Sequence, residues 1–166
     1  NRQELLPALQ TGDGQVLTQS LAILEWLEEV HPEPALLPKD PFERATVRAM
    51  AAIVACDIHP LNNLRIQKQL TALGVDDAGR TVWTQRWIND GFRALEPMVA
   101  WHSRGFAFGD RPTLADCLLV PQVYSAERYA VDLSPYPAIA AVAQRAAEHP
   151  AFAAAHPDRQ PDAQAS

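Results

Sequence analysis

The sequence predicts an α+β protein in which a small unit of two strands and one helix precedes an all-helical domain. Three observations predict it. Asp13-Gly14 stands between two short apolar runs, which is the local signature of a hairpin. Pro32, Pro34, Pro38 and Pro41 crowd residues 31–41, where no helix or central strand tolerates them. Beyond that stretch the apolar residues recur at helical spacing almost to the end of the chain.

Each element follows in order. The runs on either side of Thr11-Gly12-Asp13-Gly14 give two short strands within residues 5–17. Ser20 then stands where an N-cap belongs, ahead of a helix whose stripe is Leu21, Leu24, Leu27 and Val30 and whose end is expected near His31-Pro32. The proline-rich stretch is the expected domain boundary, giving a first unit over 1–31, a linker over 32–41 and a helical domain over 42–166. Val47, Met50, Val54 and Ile58 give a helix over 43–70, with a kink at His59-Pro60 because proline removes a donor there. A long helix over 76–101 buries Ile88, Phe92, Leu95 and Val99. Gly109-Asp110-Arg111-Pro112 is a loop, and Thr113-Leu114-Ala115-Asp116 resembles a capping box with Asp in place of the usual Glu or Gln. The next helix, over 114–123, is apolar on every face, as a helix central to a bundle is. A last helix after Tyr136-Pro137 carries Ile139, Val142 and Ala146 on one face, and the tail from His156 is too polar and proline-rich to assign.

Composition narrows the function. The chain has 166 residues, 48% of them hydrophobic and 20% charged, enough for one sizeable core. Lys plus Arg number 14 against 20 Asp plus Glu, a net charge of −6 that argues against nucleic acid as a partner. No apolar run approaches the roughly 20 residues that span a bilayer, so no membrane is expected and the cytoplasm is the default location. Cys56 and Cys117 sit far apart in apolar surroundings and are expected to be buried, reduced thiols.

Four positions could hold a ligand, each with a structural alternative. At the start of the first helix, Gln19-Ser20 either offers backbone amides, a hydroxyl and the positive dipole end to a carboxylate, or simply caps the helix. Leu6-Pro7 either marks an edge strand or, through a cis bond, turns the Leu6 backbone outward to a peptide-like ligand. Among residues 56–65, His59, Asn62, Asn63 and Arg65 either line a helix break as ligand groups or form a solvated helix face in which Asn satisfies the kinked backbone. No second Cys/His pair is spaced to complete a tetrahedral site around Cys56 and His59, which argues against a metal. Arg128 either faces a site or answers the dipole at the end of its helix. Tyr124 and the four tryptophans are expected in a core or interface, and no spacing signals a nucleophile–base pair.

These segments in this order resemble the zeta class of the glutathione transferase family, the class of the maleylacetoacetate and maleylpyruvate isomerases. The resemblance is carried by Leu6-Pro7-Ala8-Leu9, Leu17-Thr18-Gln19-Ser20-Leu21-Ala22-Ile23, Asp57-Ile58-His59-Pro60-Leu61-Asn62-Asn63, Gly109 to Asp116, Val120-Pro121-Gln122-Val123 and Asp132 to Pro137. It implies a thioredoxin-like domain, represented here by its second half, followed by the all-α domain of a glutathione transferase, in a homodimer. It also implies glutathione as cofactor, held by Leu6 and Pro7 at a cis bond, by Gln19 and Ser20 at the γ-glutamyl end, and by His59, Asn62 and Asn63. Arg65 and Arg128 match positions that face a small dicarboxylate substrate. The family's Asn-Pro-Gln-Gly lead-in is Asn1-Arg2-Gln3-Glu4 here, and the strand–helix–strand unit with the thiol-activating Ser-Ser-Cys-type motif is not in this sequence, so an upstream segment is expected. The activity implied is cis–trans isomerisation of a keto dicarboxylate. A transferase acting on α-haloacids and a non-catalytic interaction module are the alternatives.

Overall fold

The computed structural model describes residues 6–161; the Asn1-Arg2-Gln3-Glu4 lead-in, Leu5 and the final residues 162–166 lie outside them. The first strand, β1 (Ala8–Gln10), pairs antiparallel with β2 (Val16–Thr18) in the register Ala8↔Thr18, Leu9↔Leu17, Gln10↔Val16. The Asp-Gly signal is realised in a five-residue loop. Gly14 adopts φ 84°, a conformation that favours glycine, and its N–H bonds Thr11 O at 2.9 Å.

Helix α1 (Ser20–Val30) starts one residue earlier than expected, at the residue read as its cap. Gln19, not Ser20, is the N-cap, held at φ 74° and ψ 121° between strand and helix, and Ser20 is the first helical residue. The buried face is also rotated from the expected stripe. Leu21, Leu24 and Leu27 are half-buried and Val30 is exposed, whereas Ile23 and Glu28 are buried. The cause is polar: the Glu28 carboxylate accepts the N–H groups of Leu36 (2.7 Å) and Leu37 (3.2 Å), clamping the extended stretch that follows onto the helix.

Asp40 caps α2 (Pro41–Ala52), accepting from the Phe42 and Glu43 N–H groups at 2.9 Å, with Pro41 at the first helical position where it costs no hydrogen bond. The expected kink at His59-Pro60 is displaced and split. The chain widens into a π-helical turn (Ile53–Ile58), in which the His59 N–H reaches Val54 O, then runs through the short α3 (His59–Asn62) into α4 (Leu64–Ala72). Widening shifts the hydrogen-bond register just ahead of the residue that has no N–H to give, so Pro60 is accommodated near the start of α3. The direction changes at Asn63, which is extended (ψ 149°).

Asp76 caps α5 (Asp77–His102) through the Gly79 N–H at 2.8 Å. The capping box ahead of α6 (Leu114–Arg128) forms: Asp116 accepts the Thr113 N–H (2.8 Å) and hydroxyl (2.7 Å) and the Ala107 N–H (2.7 Å). Then come α7 (Pro137–Ala147), α8 (Pro150–Ala155) and a 3-10 turn (Pro157–Arg159), so part of the unassigned tail is ordered structure. The core joins Val47, Met50 and Ile58 to Ile88, Phe92, Leu95 and Val99 of α5, Leu114, Leu119 and Val123 of α6, and Ile139 and Val142 of α7. Helix α6 packs on both α2 and α7, as its apolar composition required, with Pro121 on its exposed side. Trp26, Trp83 and Trp87 are half-buried, while Trp101 is 78% exposed rather than packed. Cys56 is exposed, contrary to the expected burial: it lies on the outer side of the π turn, where residues 56 and 57 face out between buried Val54 and Ile58.

Candidate functional site

The hairpin register assembles the first group of residues. Ala8 stands opposite Thr18 at the end of the ladder, so Leu6-Pro7, which leads into β1, and Gln19-Ser20, which follows β2, leave the hairpin at the same end. The Leu6–Pro7 bond is cis, and Leu6 is 87% exposed. Gln19 is exposed and Ser20 half-buried. Among the described residues no side chain caps the first turn of α1, and its leading amides and dipole end form the kind of site that suits an anion.

The second group surrounds the break after the π turn. His59 and Arg65 are exposed, and Asn62 and Asn63 are half-buried. Asn63 Oδ1 accepts the Arg65 N–H at 3.1 Å, so this residue does cap the broken helix, one of the two roles open to it from sequence. Asn62 differs. Both polar atoms of its amide are buried without a hydrogen-bond partner, a state that buried amides rarely keep. The third group is Arg128, exposed at the last turn of α6 with its guanidinium 5.9 Å from the Tyr124 ring centroid. The Tyr124 hydroxyl donates to Asp158 at 3.1 Å, which ties this end of α6 to the 3-10 turn.

Helix directions place these groups at one end of the bundle. Helix α1 lies antiparallel to α2, clipped by the Arg48–Glu25 pair (2.5 and 2.8 Å) and by the Glu28 clamp, so its Gln19-Ser20 end points the way α2 runs, toward the π turn. Helix α6 begins beside the same connecting segment, with the Leu114 N–H on Leu36 O at 2.9 Å, and runs alongside α2, carrying Arg128 to that end too. Helix α5 ties both: the Trp83 indole N–H donates to Leu61 O at 2.8 Å and Gln85 Nε2 donates to Tyr129 O at 2.8 Å. Thus an anion-ready helix start, a polar helix break and two exposed guanidiniums share one end of an otherwise acidic chain. The arrangement can receive an extended ligand with a carboxylate at α1 and a second anionic molecule near the arginines. Sequence reasoning missed Trp83 and the Tyr124–Asp158 contact, because the donors and acceptors they join lie on separate elements.

A hairpin with a cis proline beside a helix start, followed by a helical bundle, is the architecture of a glutathione-binding transferase, and family profiles agree. The profile of the glutathione S-transferase N-terminal domain matches residues 1–35 and that of the C-terminal domain matches residues 86–150. The chain is 56% identical over 165 residues to the maleylpyruvate isomerase of Ralstonia sp, covering 98% of this chain and 77% of that protein. The holo structure of maleyl pyruvate isomerase, a bacterial glutathione S-transferase in the zeta class, is 53% identical, with a TM-score of 0.95 over 99% of this chain and 78% of that one. Maleylacetoacetate isomerase from Anaeromyxobacter dehalogenans, solved with dicarboxyethyl glutathione and citrate in its active site, is 44% identical, with a TM-score of 0.91 over 97% of this chain and 74% of that one. The chain belongs to the zeta class of the glutathione S-transferase family.

Proposed function

We propose that this chain is a glutathione-dependent cis–trans isomerase of a small keto dicarboxylate, maleylpyruvate or maleylacetoacetate. The observation that carries the proposal is the 0.95 TM-score to a zeta-class maleyl pyruvate isomerase over 99% of the chain. Glutathione, when bound, supplies a thiolate that adds reversibly to the cis double bond and so permits rotation.

The residues divide the work. Leu6 beside cis Pro7 meets the glutathione backbone, and Gln19, Ser20 and the first turn of α1 receive the γ-glutamyl carboxylate. His59, Asn62 and Asn63 close the other side, and the unpartnered Asn62 amide fits a peptide-like ligand that offers both a donor and an acceptor. Arg65 and Arg128 anchor the substrate carboxylates and favour the negative charge that develops toward the keto group, an effect that grows as the cleft excludes water. No residue of this chain is assigned to activating the thiol. Residues 1–31 act as the second half of the glutathione-binding domain, 32–41 as linker and 42–166 as the helical domain, in a cytoplasmic homodimer. No helix among the described residues is long and apolar enough to cross a membrane.

Turnover of maleylpyruvate and maleylacetoacetate with glutathione, measured for the full chain and for Arg65→Ala and Arg128→Ala, tests the assignment. Each variant is expected to lose about tenfold or more in kcat/KM, the scale on which one charge-assisted hydrogen bond stabilises a transition state. Normal kinetics in both variants would remove the arginines from the mechanism. An inactive parent with both substrates would remove the function.

A further inference from the structure

In an unbroken α-helix the Leu61 carbonyl would accept the Arg65 N–H. The extended backbone at Asn63 prevents this, and Asn63 Oδ1 takes the Arg65 N–H instead. Leu61 O is left needing a donor, and the Trp83 indole N–H of α5 supplies it at 2.8 Å. The same helix holds the break on either side of this bond. Downstream, the Thr84 hydroxyl accepts Gln67 Nε2 of α4 at 3.0 Å. Upstream, Gly91 lies so close to Ile58, the last residue of the π turn, that a Cβ there would sit 2.3 Å from both Ile58 Cγ1 and Cδ1. Three contacts from one helix therefore fix where residues 58–67 change direction, and these residues include His59, Asn63 and Arg65.

We propose that Trp83 is a positioning residue for the isomerisation: its indole N–H replaces the helical hydrogen bond that Leu61 O cannot make and so fixes the break that presents Arg65 to the substrate. The proposal rests on the role given to Arg65 above. Its chemistry is specific to the N–H, since the ring itself also packs edge-on against Trp87, with centroids 5.7 Å apart. Phenylalanine at position 83 keeps an aromatic ring and removes the donor, leaving Leu61 O without its partner.

The test is a double-mutant cycle in the full chain, with glutathione and maleylpyruvate as the probes and circular dichroism confirming the fold. Trp83→Phe is expected to lower kcat/KM by about fivefold to tenfold, the scale of one hydrogen bond whose partner stays behind. In an Arg65→Ala background the same substitution is expected to change kcat/KM less than about twofold, because its effect passes through Arg65. A Trp83→Phe enzyme with unchanged kcat/KM overturns the proposal, as does a loss that adds in full to that of Arg65→Ala, the behaviour of a merely structural residue. If Arg65→Ala alone is silent, the role of Arg65 falls and the proposal falls with it, an outcome distinct from additivity. Should Trp83→Phe fail to fold, Gln67→Leu, which releases α4 from Thr84 at a half-buried position, is judged by the same cycle.

Discussion

Cys56 and Cys117 have similar apolar neighbours in sequence, and the fold separates their chemistry. Cys56 stands on the outer side of the π turn, exposed. Cys117 lies next to Asp116 in the first turn of α6, where burial, and then the nearby carboxylate, push its thiol up to about 11. A thiol reagent applied to the native protein at pH 8 is therefore expected to modify the exposed Cys56 quickly and the half-buried Cys117 much more slowly. Peptide mapping checks this, and rapid labelling of Cys117 in the native state would contradict its placement. The exposure of Cys56 was hidden in the sequence because residues 53–58 follow a π period, and the 3.6-residue spacing used to assign faces does not apply there. The same limit applies at Gln19. A polar residue with φ 74° carries no sequence signature, so the N-cap fell on the better cap former next to it.

At the scale of elements, the box that opens α6 is the junction most exposed to a single change. Asp116 is fully buried and serves three donors: two backbone N–H groups, one of them from residue 107 across the loop, and the Thr113 hydroxyl. Burial holds its carboxyl above the usual range, although the three donors pull the other way. Asp116→Ala strands all three donors in the interior and is expected to cost about 3 kcal/mol or more, read as a lower urea midpoint with an unchanged slope. A loss below about 1 kcal/mol would mean that the loop can relax to find other partners. The box was legible from Thr113-Leu114-Ala115-Asp116 because a capping box is a local device, whose partners lie three residues apart. The bond from residue 107 was not, since it closes a loop through space. The helix break shows the same division: Pro60 announced a disturbance, yet the π turn, the extended Asn63 and the Trp83 bond that completes them depend on how α5 packs against the segment.

At the scale of the molecule, exposed apolar side chains such as Phe42 (78%), Val82 (65%) and Trp101 remain on the helical surface. Together with the family resemblance they support the proposed homodimer, and sedimentation velocity of the full chain is expected to give the mass of two subunits. A monomer at micromolar concentration would overturn it. By itself the sequence determined the hairpin, the buried stripe of α5, the apolar α6 and the family, because these rest on local propensity, on periodicity and on motifs contiguous in the chain. Only the tertiary structure decided that Leu6-Pro7 and Gln19-Ser20 leave the hairpin at the same end, that α1 and α6 bring the helix start and Arg128 to the end where the bundle breaks, and that Trp83 completes that break. Strand register and helix direction are settled by contacts between residues far apart in sequence, such as Glu25 with Arg48 and Leu36 with Leu114, and no local pattern encodes which distant partner a group will meet.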